Sequence, residues 1–354
     1  MSLDSHFIHR ELFAEPTTLG ETNTLGSSNL SLLDSCVPCL GKTPVTTSYV
    51  ALYVSAVIAV VVTVCGNLLV ITSVCHFKQL HTPTNVLLVF LAVTDFFVGI
   101  FVMPLQFVWL IESCWFFGAA ACAFFNFVSF HLTCASIHIV ALIAVDRCMA
   151  LSNPFFYSKK ISVNLMIIVA TLDWVFSLFY NFALLYCNGF FTHALTLCPF
   201  TCLIAVDEIW SWVDFVVVFV LPCSIMFLLY LIIFAIARRH ANAIRAANSQ
   251  VNPNARQNDN VPKRSERKAA KVLGILVSVF LLCVVPYYIA SIIPGSINAK
   301  IFEEVLSITS ALLYLNSLFN PIIYALFYPW FQKCMKIILS CQICSPSSSV
   351  MHVK

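Results

Sequence analysis

The 354 residues are 60% hydrophobic and 10% charged, with a formal net charge of +3 and a mean hydropathy of +0.91. A soluble domain covers its surface with about 25% charged residues, so this composition excludes a soluble globular protein, and the small net charge argues against a nucleic-acid partner. The chain reads as a membrane protein.

Taken in order, residues 1–47 are polar and lack the apolar run of a cleavable signal peptide. Asn29-Leu30-Ser31 is an acceptor sequon for glycosylation, usable only on the outer side. Apolar runs then cover roughly 48–74, 85–111, 118–151, 163–185, 210–237, 270–293 and 302–327. Each is long enough to cross a hydrocarbon core of about 30 Å, the first serving as signal anchor. Backbone exposed to lipid must satisfy its hydrogen bonds internally, so the fold class expected is all-α, a bundle of seven transmembrane helices spanning 48–327.

The segment 238–269 holds Arg238, Arg239, Arg245, Arg256, Lys263, Arg264, Arg267 and Lys268, whereas the facing loops offer Glu112, Asp207, Glu208, Glu303 and Glu304. Positive charge stays on the cytoplasmic side. Residues 238–269 are therefore expected to be a cytoplasmic loop with a mobile middle at 247–260, residues 1–47 extracellular, and 328–354 an amphipathic helix and cytoplasmic tail.

Of the 16 cysteines, Cys36, Cys39, Cys114, Cys122, Cys187, Cys198 and Cys202 fall in outer segments, where disulfides form. Cys65, Cys134, Cys223 and Cys283 lie in apolar runs and read as small hydrophobes. Cys334, Cys341 and Cys344 sit in the tail as candidates for acylation. No spacing suggests a structural zinc site.

The last apolar run ends in NSLFNPIIYALFYPWF, residues 316–331. Pro321 removes a helical hydrogen bond. Asn316, Ser317, Asn320 and Tyr324 put polar side chains on one side of that kink, where exposure to lipid is costly; they are expected to face a polar interior. This stretch resembles the end of the seventh helix of rhodopsin-like G-protein-coupled receptors. The full string, with Tyr328 and Trp330-Phe331, resembles the signature of trace amine-associated receptors. The resemblance extends over about 48–340.

Several intramembrane acids acquire expected roles from it. Asp95 in LAVTDFF, with Asn67 in GNLLV, resembles the receptors' buried second-helix aspartate and its first-helix partner. With Ser136, Asn316 and Ser317 it implies an oxygen-rich pocket for one sodium ion, the sole cofactor expected; a hydrogen-bonded, protonated acid is the alternative. Asp146-Arg147-Cys148 resembles the Asp-Arg-Tyr motif with Cys in place of Tyr. The resemblance pairs Arg147 with Asp146 and Glu266 in the resting state, with Tyr230 and Tyr324 receiving the released arginine; a plain helix-end salt bridge is the alternative. Asn320, Pro321, Pro222, Ile137 and Phe280 complete the switch that it implies. It also implies a disulfide from Cys122, for which Cys202 is the expected partner, and a second bridge from Cys36 or Cys39 to Cys187 or Cys198.

Aminergic receptors pair the ligand's ammonium with a third-helix aspartate, and the matching residue here is Ser129. Asp214, in WSWVDFVVVFVLP, stands instead in the outer half of the fifth helix, as in the fish-expanded branch of trace amine-associated receptors. An unpaired carboxylate in low dielectric favours its neutral form and an adjacent ammonium the ionised one, so binding and ionisation are linked. The alternative is a structural acid bonded to Tyr288 or Ser129, or one facing lipid headgroups near the helix mouth. Trp109, Phe130, Thr133, Tyr287, Tyr288 and Tyr314 are the expected lining, since aromatic faces stabilise cations. Trp174 matches the family's fourth-helix tryptophan, and Asp173 beside it, to which the resemblance gives no role, is expected to be a protonated packing residue. The sixth helix carries Val284 where the family has tryptophan.

The resemblance thus implies a plasma-membrane amine receptor, not an enzyme. Its expected partners are a small amine, a stimulatory G protein raising cyclic AMP, and the lipid bilayer, with olfactory detection as the setting. The alternatives are an orphan, lipid or peptide receptor, a cation-coupled transporter using Asp95 and Asp214, or an intramembrane aspartyl protease using the same acids.

Overall fold

The computed structural model describes residues 47–188, 202, 206–250, 261–292, 299–340 and 342, all within the unit Gly41–Lys354. The side chains of 237, 240–250, 261–271, 273, 299, 300 and 303 are outside the description. Among the described residues seven helices are long and apolar enough to cross a membrane, and there is no strand.

The first span, Thr47–His76, packs against the second, Pro83–Glu112. The third, Gly118–Ser152, is the central one: 67% of its apolar window is buried, against 17% for the first and for the fourth, Val163–Cys187. The fifth runs from Glu208 to Gln250, the sixth is Val261–Ser291 and the seventh Ala299–Phe327. A linking helix, Pro154–Lys160, follows the third span and a terminal helix, Pro329–Leu339, follows the seventh.

The boundaries follow from local chemistry. Thr82 caps the second span, its hydroxyl accepting from Asn85 N at 3.3 Å ahead of Pro83, and Ser162 caps the fourth in the same way from Leu165 N at 3.2 Å. Such caps satisfy backbone donors that have no partner inside the helix. The segment 238–269 is helical at both ends. The fifth helix continues to Gln250 and the sixth starts at Val261, because 235–247 is rich in alanine and arginine, both strong helix formers.

Two spans contain a stretch of π-helix, at Val98–Val102 in the second and Phe215–Val220 in the fifth. Each ends two residues before a proline, Pro104 or Pro222. The proline lacks the N–H that would close the preceding turn, and a wider turn redistributes the freed carbonyls. In the fifth span the widened turn begins immediately after Asp214 and sets that side chain's direction independently of the helix below it.

The first and seventh spans touch at the Pro321 kink. A Cβ added at Gly66 would lie 2.7 Å from Pro321 Cβ, so only glycine allows this approach. Phe331 and Cys334 of the terminal helix are buried, Cys334 with Val74, Phe77 and Leu80 at the inner end of the first span.

Candidate functional site

Between the outer halves of the spans lie three neighbouring cavities that share Phe130 and Tyr287 as walls. The largest, about 290 Å³, is bordered by Asp214, Ser211, Phe215, Tyr287, Tyr288, Phe302 and Leu306. A second, about 90 Å³, is lined by Gln106, Trp109, Asn126, Ser129, Ser310 and Tyr314. A narrow third lies against Asp214, Ser129, Thr133, Tyr288 and Tyr314. The structure therefore brings Asp214, Ser129, Phe130, Thr133, Tyr287, Tyr288, Tyr314 and Trp109 around one set of connected spaces. Asp214 is the single carboxylate among the described lining residues.

Asp214 is held neither by Tyr288 nor by Ser129. Tyr180 of the fourth span donates to its Oδ1 at 3.3 Å, while the Ser129 hydroxyl is spent on Asn126 O at 3.1 Å. Tyr288 instead stacks on Phe219, with ring centroids 4.5 Å apart. The Asp214 carboxylate thus has one protein donor, an aromatic floor and a cavity in front of it.

The outer end is closed by the Cys122–Cys202 disulfide, which places Cys202 in the wall of the second cavity. Asn126 Nδ2 braces it, donating to Cys122 O at 3.0 Å and lying 3.2 Å from both sulfurs. Cys187 is free, which removes it from the expected second bridge, while Cys114 is disulfide-bonded. Cys36, Cys39, Cys198 and the sequon at Asn29 lie outside the described residues.

Halfway down, Asp95 is fully buried and accepts from Asn320 Nδ2 at 2.7 Å, and Asn67 Nδ2 donates to Ser317 O at 3.0 Å. Asp95 Oδ1, Asn67 Oδ1 and Asn316 Oδ1 are buried oxygens without a hydrogen-bond donor. Buried oxygens of this kind are rarely left unsatisfied, and a set of carboxylate and carbonyl oxygens is the donor chemistry that a hard monovalent cation takes. These residues fit such an ion. Ser136, Asn316 and Ser317 also line a small cavity with Ile137, Phe280 and Val284. Ile137, Phe280 and Pro222 are all buried; Ile137 and Phe280 pack in one apolar cluster with Val284.

At the inner end Asp146, 1% exposed, collects four hydrogen bonds. Arg147 donates through Nε at 2.9 Å and Nη2 at 2.6 Å, Thr84 Oγ1 at 2.7 Å, and Tyr157 OH at 2.7 Å from the linking helix. Burial, and then the bond to Asp146, push the Tyr157 phenol above its usual range, so it stays a neutral donor. The Glu266 side chain is outside the described residues. Tyr230 is half-buried, and Tyr324 is buried against Tyr328 and Phe331.

Asp173 is not a solitary packing acid. Its Oδ1 lies 3.0 Å from His138 Nδ1 of the third span, with 13% and 14% of the two side chains exposed. One turn outward, Ser177 bonds His131 through both the ring, at 3.2 Å, and the carbonyl, at 3.0 Å. The signal was in the sequence: histidines seven apart on the third run, matched by Asp173 and Ser177 four apart on the fourth. Tyr180 and Gln106, by contrast, gave no sign among so many aromatic and polar residues. Cys334 is 0% exposed and its thiol is pushed up to about 11 by burial, which argues against its acylation.

A seven-helix bundle with an outer cavity, a polar middle and an Asp-Arg pair at the inner rim of its central helix defines a membrane receptor of the rhodopsin class. The profile of the 7 transmembrane receptor (rhodopsin family) matches residues 66–324. Trace amine-associated receptor 13c of Danio rerio is 37% identical over 320 residues, 89% of this chain and 93% of that protein. Trace amine-associated receptor 7a of Rattus norvegicus is 40% identical over 300 residues, 83% of each, and trace amine-associated receptor 6 of the same species 36% over 338 residues, 92% and 97%. The chain belongs to the trace amine-associated receptors. It is a multi-pass membrane receptor and not an enzyme.

Proposed function

We propose that this receptor detects amines whose ammonium group pairs with Asp214, and that it sits in the plasma membrane with its N-terminus outside. The observation that carries the reading is a lone carboxylate, with one protein donor, bordering an aromatic-lined outer cavity. A cation entering that space gains charge pairing in low dielectric and the faces of Phe130, Tyr287 and Tyr288. Ser129, Thr133, Tyr314 and Trp109 complete the lining.

In this reading binding shifts a pre-existing equilibrium, by no more than the ligand's differential affinity for the two states. The inactive state keeps Arg147 on Asp146 and Glu266. In the active state Arg147 turns to Tyr230 and Tyr324, and a stimulatory G protein docks, raising cyclic AMP in an olfactory setting. Asp95, Ser136, Asn316 and Ser317 would hold a sodium ion, supplying a positive charge beside the buried carboxylate. With Val284 in place of an indole, transmission runs through Pro222, Ile137 and Phe280 to the Asn320-Pro321 kink.

The test is cyclic-AMP output from cells expressing the chain with a stimulatory G protein, across mono-, di- and polyamines, with Asp214→Ala beside it at matched surface level. A response lost in the variant supports the site. An equal response in the variant refutes it.

A further inference from the structure

Gln106 is 0% exposed and lines the second outer cavity, and its Nε2 donates to Ser307 O of the seventh span at 3.1 Å. A carbonyl accepts and never donates, so the amide nitrogen must be the atom facing Ser307, which fixes the orientation of the whole group. Its Oε1 is then a buried acceptor without a donor. Among the described residues lining the three outer cavities it is the one buried side-chain oxygen or nitrogen in that position. An amide oxygen withdrawn from water and left unbonded is costly in a folded protein, and a donor brought by a ligand removes that cost.

Among its described lining residues the second cavity also has no carboxylate, while its walls Phe130, Tyr287 and Leu306 continue from the Asp214 cavity. A second ammonium placed there would lose its hydration with no opposite charge to replace it. A hydroxyl or amide N–H would satisfy Gln106 at no such cost.

We propose that Gln106 Oε1 forms a second subsite that accepts a hydrogen bond from an uncharged donor on the ligand, so that the receptor's ligand class is an amine carrying a hydroxyl or amide N–H, not a doubly charged diamine. The proposal rests on the pairing of an ammonium with Asp214 described above, and the two are separable by experiment.

Amino alcohols of graded chain length, alkylamines with methyl in place of the hydroxyl, and the matching diamines are titrated onto the purified full-length receptor in lipid nanodiscs. At the best chain length the amino alcohol binds about three- to ten-fold more tightly than its alkylamine, the range that one net hydrogen bond supplies. Gln106→Leu removes that difference; Gln106→Glu reverses the order and makes the diamine the tightest ligand. Asp214→Asn weakens every series.

An amino alcohol no better than its alkylamine in the wild type, or a preference unchanged in Gln106→Leu, overturns the subsite while the loss in Asp214→Asn still supports the amine site. If Gln106→Leu does not yield folded receptor, a diamine that gains nothing in Gln106→Glu overturns the subsite. Binding untouched by Asp214→Asn overturns the amine site itself.

Discussion

Tyr180 of the fourth helix reaches across to the fifth and donates its hydroxyl hydrogen to Asp214 Oδ1 at 3.3 Å, in a wall where Phe176 stacks beneath its ring at 6.0 Å. This bond leaves Oδ2 for another donor and holds the carboxylate toward the cavity. Tyr180→Phe keeps the stacking and deletes the bond. Amine potency is expected to fall about ten-fold or more at unchanged surface expression, since a hydrogen bond to a charged acceptor contributes about 1.5–3 kcal/mol. Unchanged potency would show that the π-helical turn alone orients Asp214.

The approach of the first and seventh helices allows a stability test far from any ligand. Gly66→Ala sets a methyl 2.7 Å from Pro321 Cβ, and the helices must separate to admit it. Overpacking of this kind costs about 1–3 kcal/mol. The variant should melt several degrees below the wild type in detergent; an equal melting temperature would mean that the kink yields freely.

The His138–Asp173 pair ties the third helix to the fourth at membrane depth. Removing one partner strands the other in low dielectric, whereas removing both does not. Asp173→Leu should therefore reduce thermal stability more than the double variant His138→Phe with Asp173→Leu. Additive losses in a double-mutant cycle would deny any coupling between the two residues.

Thiol reactivity separates Cys334 from Cys75, which is exposed at the end of the first helix. The thiolate is the reacting form, and burial of Cys334 lifts its pKa from 9.0 to about 11. At pH 8 its thiolate is then about one part in 1,000. Alkylation of the folded receptor should spare Cys334 at pH 8 and quicken as pH rises toward 11. Rapid labelling at pH 8 would place the terminal helix off the first.

The fold was legible because its signals are local. Seven apolar runs and a basic segment need no knowledge of neighbours, and the ends of the helices fall within a few residues of the runs that suggested them, apart from the end of the fifth and the start of the sixth, which extend well into 238–269. The candidate site was legible only where chemistry is rare in such a chain: Asp95, Asp146, Asp173 and Asp214 stood out as intramembrane acids. Arg147 was expected beside Asp146 and His138 matched Asp173 in spacing alone, but Tyr180 and Thr84 meet their acids across helix faces whose rotation the sequence does not print. The π-helical turns before Pro104 and Pro222 add a further rotation that regular helical spacing misses. Gly66 had the opposite fate: it stood beside Asn67 in a quoted motif, and its role appeared only when Pro321 was placed against it.

The central claim is that Asp214 carries the ammonium, and its most direct test is the affinity of one active amine for purified wild-type receptor, Asp214→Ala and Asp214→Glu. Truncating one partner of a close charge pair costs about 2–5 kcal/mol, so Asp214→Ala should bind at least about 30-fold more weakly and Asp214→Glu should recover part of that loss. Equal affinity in all three proteins would contradict the account and move the amine site elsewhere in the bundle.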